Sequence, residues 1–90
     1  MSTHKVKSWP KFFQPLSDGT RTHELRRNDR RYQVGDVLEM HEYLPDKQVY
    51  SGRTLYMKVT SITSASEPCA VSEEALHNDF CILSVKLVRP

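Results

Sequence analysis

Val37–Leu44 reads VLEMHEYL, and residues 54–63 read TLYMKVTSIT. Both stretches alternate. In the first, Leu38, Met40 and Leu44 fall on one face, with Glu39, His41 and Tyr43 on the other. In the second, Leu55, Met57 and Val59 alternate with Tyr56, Lys58 and Thr60. A period of two over this length marks half-buried strands. Pro45-Asp46-Lys47 opens a loop between them and Tyr50-Ser51-Gly52 closes it. The two strands are therefore expected to pair as an antiparallel hairpin.

Outward from the hairpin, Phe80–Val88 reads as a strand with Cys81, Leu83, Val85 and Leu87 on one face. Residues 64–79 are rich in turn residues, and Ser72-Glu73-Glu74-Ala75-Leu76 suits a short helical turn. On the other side, residues 22–27 alternate as a strand, and residues 4–7 suit the start of another. Asn28-Asp29 and Val34-Gly35-Asp36 are turn signals. Ser8 followed by Trp9-Pro10 is a helix start, with Ser8 as the capping candidate and proline in the first turn. Phe12, Phe13 and Leu16 give that helix an apolar face, Pro15 keeps it short, and Gly19 suits a left-handed end. The sum is a mainly β (α+β) domain of about five strands with one or two short helices. Short strands joined by tight turns favour a closed or nearly closed barrel, because closure removes exposed edges.

Ninety residues make one domain, 1–90. Such a chain buries roughly 60–70% of the surface that its unfolded form exposes, enough for one modest core. Net charge is only +2, but Arg21, Arg26, Arg27, Arg30 and Arg31 crowd between positions 21 and 31. Most of the acidic residues come later, at Glu39, Glu42, Asp46, Glu67, Glu73, Glu74 and Asp79. A local basic patch on a nearly neutral domain suits an anionic ligand held at one place. The first residues are polar and lack the apolar run of a signal peptide, and no stretch has the length of a membrane span. Two cysteines, Cys69 and Cys81, do not make a disulfide framework, and Cys81 inside an apolar run suits a buried free thiol. A cytoplasmic protein is expected.

The chemistry concentrates in residues 19–31, GTRTHELRRNDRR. Side chains alternate along the strand 22–27, so Thr22, Glu24 and Arg26 share one face and His23, Leu25 and Arg27 the other. Leu25, the strongly apolar member, is expected to point into the core. Thr22, Glu24 and Arg26 then form a polar ladder on the opposite face, with Arg21 at its entry. Arg26 suits a bidentate grip on phosphate or carboxylate, and Glu24 can accept from an exocyclic amino group. The competing reading is a surface Glu–Arg pair that satisfies itself, worth roughly 0–1 kcal/mol. Arg30 follows a turn that either holds it beside a cleft or leaves it on the surface. Trp9, beside Lys7, suits either base stacking or packing under a helix.

Other chemistries find little support. His77, Cys69 and Cys81 lack the spacing of a zinc site, nothing visible would activate Cys81, and the three glycines stand singly at turns. No metal and no cofactor is expected.

The run from Gly19 to Asp36 carries a further signal. Together with His4-Lys5-Val6-Lys7-Ser8-Trp9-Pro10, Phe12-Phe13, Tyr50-Ser51-Gly52-Arg53, Val59-Thr60 and Ile82-Leu83-Ser84-Val85, it resembles a small ASCH-related domain family of unknown function found in bacteria and phages. The resemblance spans almost the whole chain and is poorest over residues 64–79. It implies a PUA-like β-barrel with a cleft beside the glycine-led strand, proposed in relatives to bind RNA or a nucleotide. It places Lys7, Arg21, Glu24 and Arg26 at or near that cleft. Some ASCH relatives are amidohydrolases acting on acylated cytidine, with a motif resembling Gly-x-Lys-Thr-x-Thr-x-Arg whose lysine and second threonine take part in catalysis. Here those positions hold Arg21 and Glu24. Arginine is a poor proton acceptor and glutamate is not a hydroxyl nucleophile, which argues against that reaction.

The expected function is thus an RNA- or nucleotide-binding module, without catalysis of its own, using Lys7, Trp9, Arg21, Thr22, Glu24, Arg26, Arg27 and Arg30. One alternative is a small hydrolase of a modified nucleoside, with Glu24 as general base and Arg26 or Lys7 stabilising an anion. Another is a protein-interaction module working through the acidic face. A monomer without membrane contact is expected.

Overall fold

A computed structural model of the chain describes residues 1–88. Strand β1 (Thr3–Ser8) leads into helix α1 (Pro10–Asp18), followed by β2 (His23–Arg27), β3 (Val37–Leu44), β4 (Val49–Ser64), the single-turn helix α2 (Ser72–Ala75) and β5 (Phe80–Val88). The strands form one five-stranded sheet in the order β1-β3-β4-β5-β2. All neighbouring pairs are antiparallel except β1 with β3, which run parallel. The sheet curls into a half-barrel. Its two end strands, β1 and β2, face each other across a seam.

Two irregularities in β4 accompany the curl. Opposite the single β3 residue Glu42 lie three β4 residues, Ser51, Gly52 and Arg53, because the register passes from His41↔Thr54 to Tyr43↔Tyr50. Thr60 is the extra residue opposite β5, between Val59↔Val85 and Ser61↔Ser84. Bulges of this kind bend a strand and increase its twist. The first has a chemical cause. Glu42 shares the inward parity of Leu38 and Met40 and is buried. The bulge brings Ser51 Oγ to donate to Glu42 Oε1 at 2.6 Å and Arg53 Nη1 to 3.6 Å from Oε2. Gly52 turns through φ +96°, a conformation that most side chains avoid. The β3–β4 hairpin is as expected from the alternation, but its turn is only residues 45–48, with Gln48 at φ 55°. Tyr50-Ser51-Gly52 therefore belongs to the strand and does not close the loop.

Inside the curl, Leu38, Met40, Met57, Val59, Cys81, Leu83 and Val85 pack with Val6, Tyr32 and Leu16. Cys81 is a free, buried thiol, and burial pushes its pKa up, which keeps it protonated and unreactive. Helix α1 packs against β3 and buries Phe13 and Leu16. It ends at Gly19, φ +79°, as its sequence predicts. Its start differs from expectation. Ser8 is the last residue of β1 and, like Val6, points inward, so its hydroxyl cannot cap the helix. Trp9 is the N-cap residue, extended as a residue before proline must be, and makes no side-chain cap bond.

Asp36 ties the N-terminus down. Its carboxylate accepts from Ser2 N at 2.9 Å and Gln33 N at 3.0 Å, and lies 2.9 Å from His4 Nε2. Burial alone would raise its pKa, but the bonds from Ser2, His4 and Gln33 outweigh this and hold it at about 2, below the ordinary 3.8. A folded-state pKa below the unfolded one contributes stability that is present above the unfolded value and lost as pH falls towards the folded value. Asp36→Asn should therefore destabilise the protein at pH 6. The gap from wild type should shrink between pH 4 and pH 2, as paired urea denaturations would show.

Candidate functional site

β2 presents its residues the other way round from expectation. Glu24 is buried at 6% exposure, whereas Leu25 is 58% exposed. Thus Glu24 and Arg26 face inward and Leu25 lies outside, beside Ile82 of β5. The reason is the seam. β2 ends the sheet, and its inward face meets the open edge of β1 rather than a continuous apolar layer. A paired glutamate and arginine fit there better than leucine. Arg26 Nε donates to Glu24 Oε2 at 2.9 Å, and its Nη2 donates across the seam to the Lys7 carbonyl at 2.6 Å. Arg30 Nη1 does the same for the Lys5 carbonyl, also at 2.6 Å. These two arginines connect the unpaired edge of β1 to the β2 side of the molecule. They supply, through side chains, the contact that backbone pairing would give in a closed barrel.

A groove crosses the seam and has two lobes. One, of about 530 Å³, is lined by Lys5, Val6, Lys7, Arg26, Arg30, His41 and Tyr50. The other, of about 450 Å³, lies beside α1 and is lined by Lys7, Ser8, Trp9, Phe12, Arg21, Glu24, Leu25 and Arg26. Lys7 and Arg26 belong to both lobes. The first lobe is basic: four cationic side chains meet there, with Lys7 Nζ held 4.3 Å from the centre of the Tyr43 ring. His41 lies between Glu39 (Nε2 to Oε2, 2.6 Å) and Thr54 (Nδ1 to Oγ1, 3.3 Å), which fixes its ring edge-on to Tyr50. The second lobe is aromatic and polar. Trp9, 52% exposed, lies nearly parallel to Phe12, with ring centres 6.4 Å apart. The Arg21 guanidinium sits 4.8 Å from the Phe12 ring centre. Tyr32 is buried nearby, and burial raises its pKa against the opposing pull of Arg26 and Arg30, so its hydroxyl stays neutral.

Of the eight residues singled out in the sequence, Lys7, Trp9, Arg21, Glu24, Arg26 and Arg30 meet in this groove. Thr22 and Arg27 line neither lobe. Thr22 is exposed and its carbonyl accepts from Val85 N, which holds β2 to β5. Arg27 shares the outer face with Leu25 and lies over the Phe80 ring at 4.9 Å. Lys5, Ser8, Phe12, His41 and Tyr50 join the site without having been singled out. Lys5 follows from parity with Lys7. His41 and Tyr50 depend on β3 pairing with β1, where Lys7 stands opposite His41, and a parallel pairing across two intervening elements leaves no local trace.

Every one of these groove residues falls within residues 3–85, the span matched by the family model described as a domain of unknown function, DUF3850. The chain belongs to that family. One relative that the chain resembles is the uncharacterized 12.9 kDa protein in the GpA 3′ region of Escherichia phage P2, 34% identical over 64 residues. That match covers 71% of this chain and 57% of the relative, so the chain spans little more than half of the phage protein's length. The fold is also that of the crystal structure of hypothetical protein PH0355, with a TM-score of 0.60 at 14% identity over 98% of this chain and 100% of the other. No helix among the described residues is long and apolar enough to cross a membrane.

Proposed function

We propose that this DUF3850 domain binds RNA or a nucleotide in the seam groove, with phosphate in the basic lobe and a base in the lobe beside α1. The observation that carries this reading is the adjacency of the lobes. Cations gather on one side, an exposed tryptophan and a buried carboxylate lie on the other, and Lys7 and Arg26 stand between them. Phosphate contacts position a nucleic acid, whereas stacking and polar contacts to base edges select it. In this reading Lys5, Lys7 and Arg30 hold phosphate, Trp9 stacks, and Glu24 accepts from a base or ribose. The same groove beside the glycine-led strand supports placing the chain with the ASCH-related, PUA-like domains that its sequence resembles.

Trp9 is the only tryptophan, so its fluorescence reports directly on the α1 lobe. Titration with short mixed-sequence RNAs should change that emission, and affinity should fall steeply as salt rises, because bound phosphates release counterions. Emission unchanged at low salt would count against the reading. A hydrolase remains the second reading, favoured by the burial of Glu24 inside a groove with only its Oε2 tied to Arg26 among the described residues. Turnover of an acylated nucleoside by wild type and not by Glu24→Gln would establish it.

A further inference from the structure

Among the described residues, two buried side-chain polar atoms have no hydrogen-bond partner, Ser8 Oγ and Arg21 Nε. Both residues line the α1 lobe of the groove. A buried donor without a partner costs free energy in the unliganded protein, and native proteins carry few of them. Here they stand in one lobe with Glu24, whose Oε1 has no partner among the described residues. Arg21 Nε is a fixed donor, an ionised Glu24 is a fixed acceptor, and the Ser8 hydroxyl serves as either. Trp9 and Phe12 supply flat apolar surface in the same lobe. A ligand that satisfies this set is planar and presents an acceptor and a donor side by side on one edge.

We infer that the α1 lobe reads the Watson–Crick edge of an unpaired base, so that the groove selects single-stranded over double-helical RNA. Each nucleobase carries an adjacent donor and acceptor on that edge, and in a duplex the edge is occupied by the opposite strand. The inference rests on the nucleic-acid reading above and narrows it. It assigns Ser8 and Arg21 to base recognition, and leaves phosphate to Lys5, Lys7 and Arg30.

Ser8→Ala separates recognition from folding. The hydroxyl has no partner in the free protein, so its removal should leave stability unchanged or slightly improved. RNA binding should nevertheless weaken by roughly fivefold, the loss of one hydrogen bond. Arg21→Lys keeps the charge but removes the Nε donor, and should weaken binding by roughly tenfold without reducing its salt dependence. The wild-type chain should bind a short mixed-sequence RNA at least ~10-fold more tightly than the same sequence annealed to its complement, since a pair must be opened to expose the edge. Equal affinity for strand and duplex, or wild-type affinity in both variants, would overturn this inference and leave the groove reading standing. No binding of either form would overturn both.

Discussion

Arg26→Ala should be the most damaging substitution in the groove, lowering stability by about 2–3 kcal/mol. The Arg26 side chain is 22% exposed and that of its partner Glu24 only 8%. Removing one member of a fully buried pair costs about 3–5 kcal/mol because the other charge is stranded, and the partial exposure of Arg26 places this case below that range. The bond to the Lys7 carbonyl is lost as well, so β1 loses one of its two arginine tethers to the β2 side. For a domain of this size the loss corresponds to roughly 10–20 °C in melting temperature. Adding Glu24→Gln to Arg26→Ala removes the stranded charge and should restore part of the loss. A change below about 0.5 kcal/mol, the range of ordinary surface substitutions, would show that the seam does not depend on Arg26.

The second large effect distinguishes the two faces of the β2–β5 pair. Leu83→Ala should cost about 3 kcal/mol, because Leu83 is fully buried among Leu38, Met40 and Met57 and its truncation leaves a cavity. Leu25→Ala should stay within about 0.5 kcal/mol, because Leu25 is 58% exposed on the outer face. Glu24 stands opposite Leu83, and Leu25 opposite Ile82. Chemical denaturation of the two variants measures the contrast directly. Similar losses in both would mean that β2 is turned over and that Glu24 does not face the groove.

That face was misread in the sequence for a definite reason. A single leucine among charged residues marks the buried side of a strand only when the buried side is apolar. At a seam the inner side takes an ion pair, and the rule inverts. Elsewhere the period of two served well: β3, β5 and the hairpin follow the alternation of Leu38 and Met40, of Cys81, Leu83 and Val85, and of Met57 and Val59. The same alternation contained Glu42, whose inward parity marks it for burial. Ser51 and Gly52 resemble turn residues but form the bulge that supplies Glu42 with partners. Strand order was not legible, because β1 pairs with β3 and β2 with β5 across long separations in the chain. The site was legible in part. The crowd of arginines pointed to Arg21, Arg26 and Arg30, but nothing local could show that Arg26 and Arg30 also hold the edge of β1. Nor could it show that Arg27 leaves the groove for Phe80.

In the proposed reading Arg26 has a double duty, in fold and in binding. The guanidinium that tethers β1 across the seam also lies where the two lobes meet, so a phosphate seated beside Lys7, as proposed, would contact the same group that holds β1. The most direct test is an NMR titration of isotope-labelled protein with a short single-stranded RNA at low salt. The Arg26 Nε–H, the Trp9 indole N–H and the Lys7 amide should shift together and saturate at one affinity, while the Arg27 Nε–H and the Ile82 methyls stay still. Unmoved groove signals, or shifts gathered on the outer face around Arg27, Phe80 and Ile82, would contradict the assignment of the seam groove as the binding site.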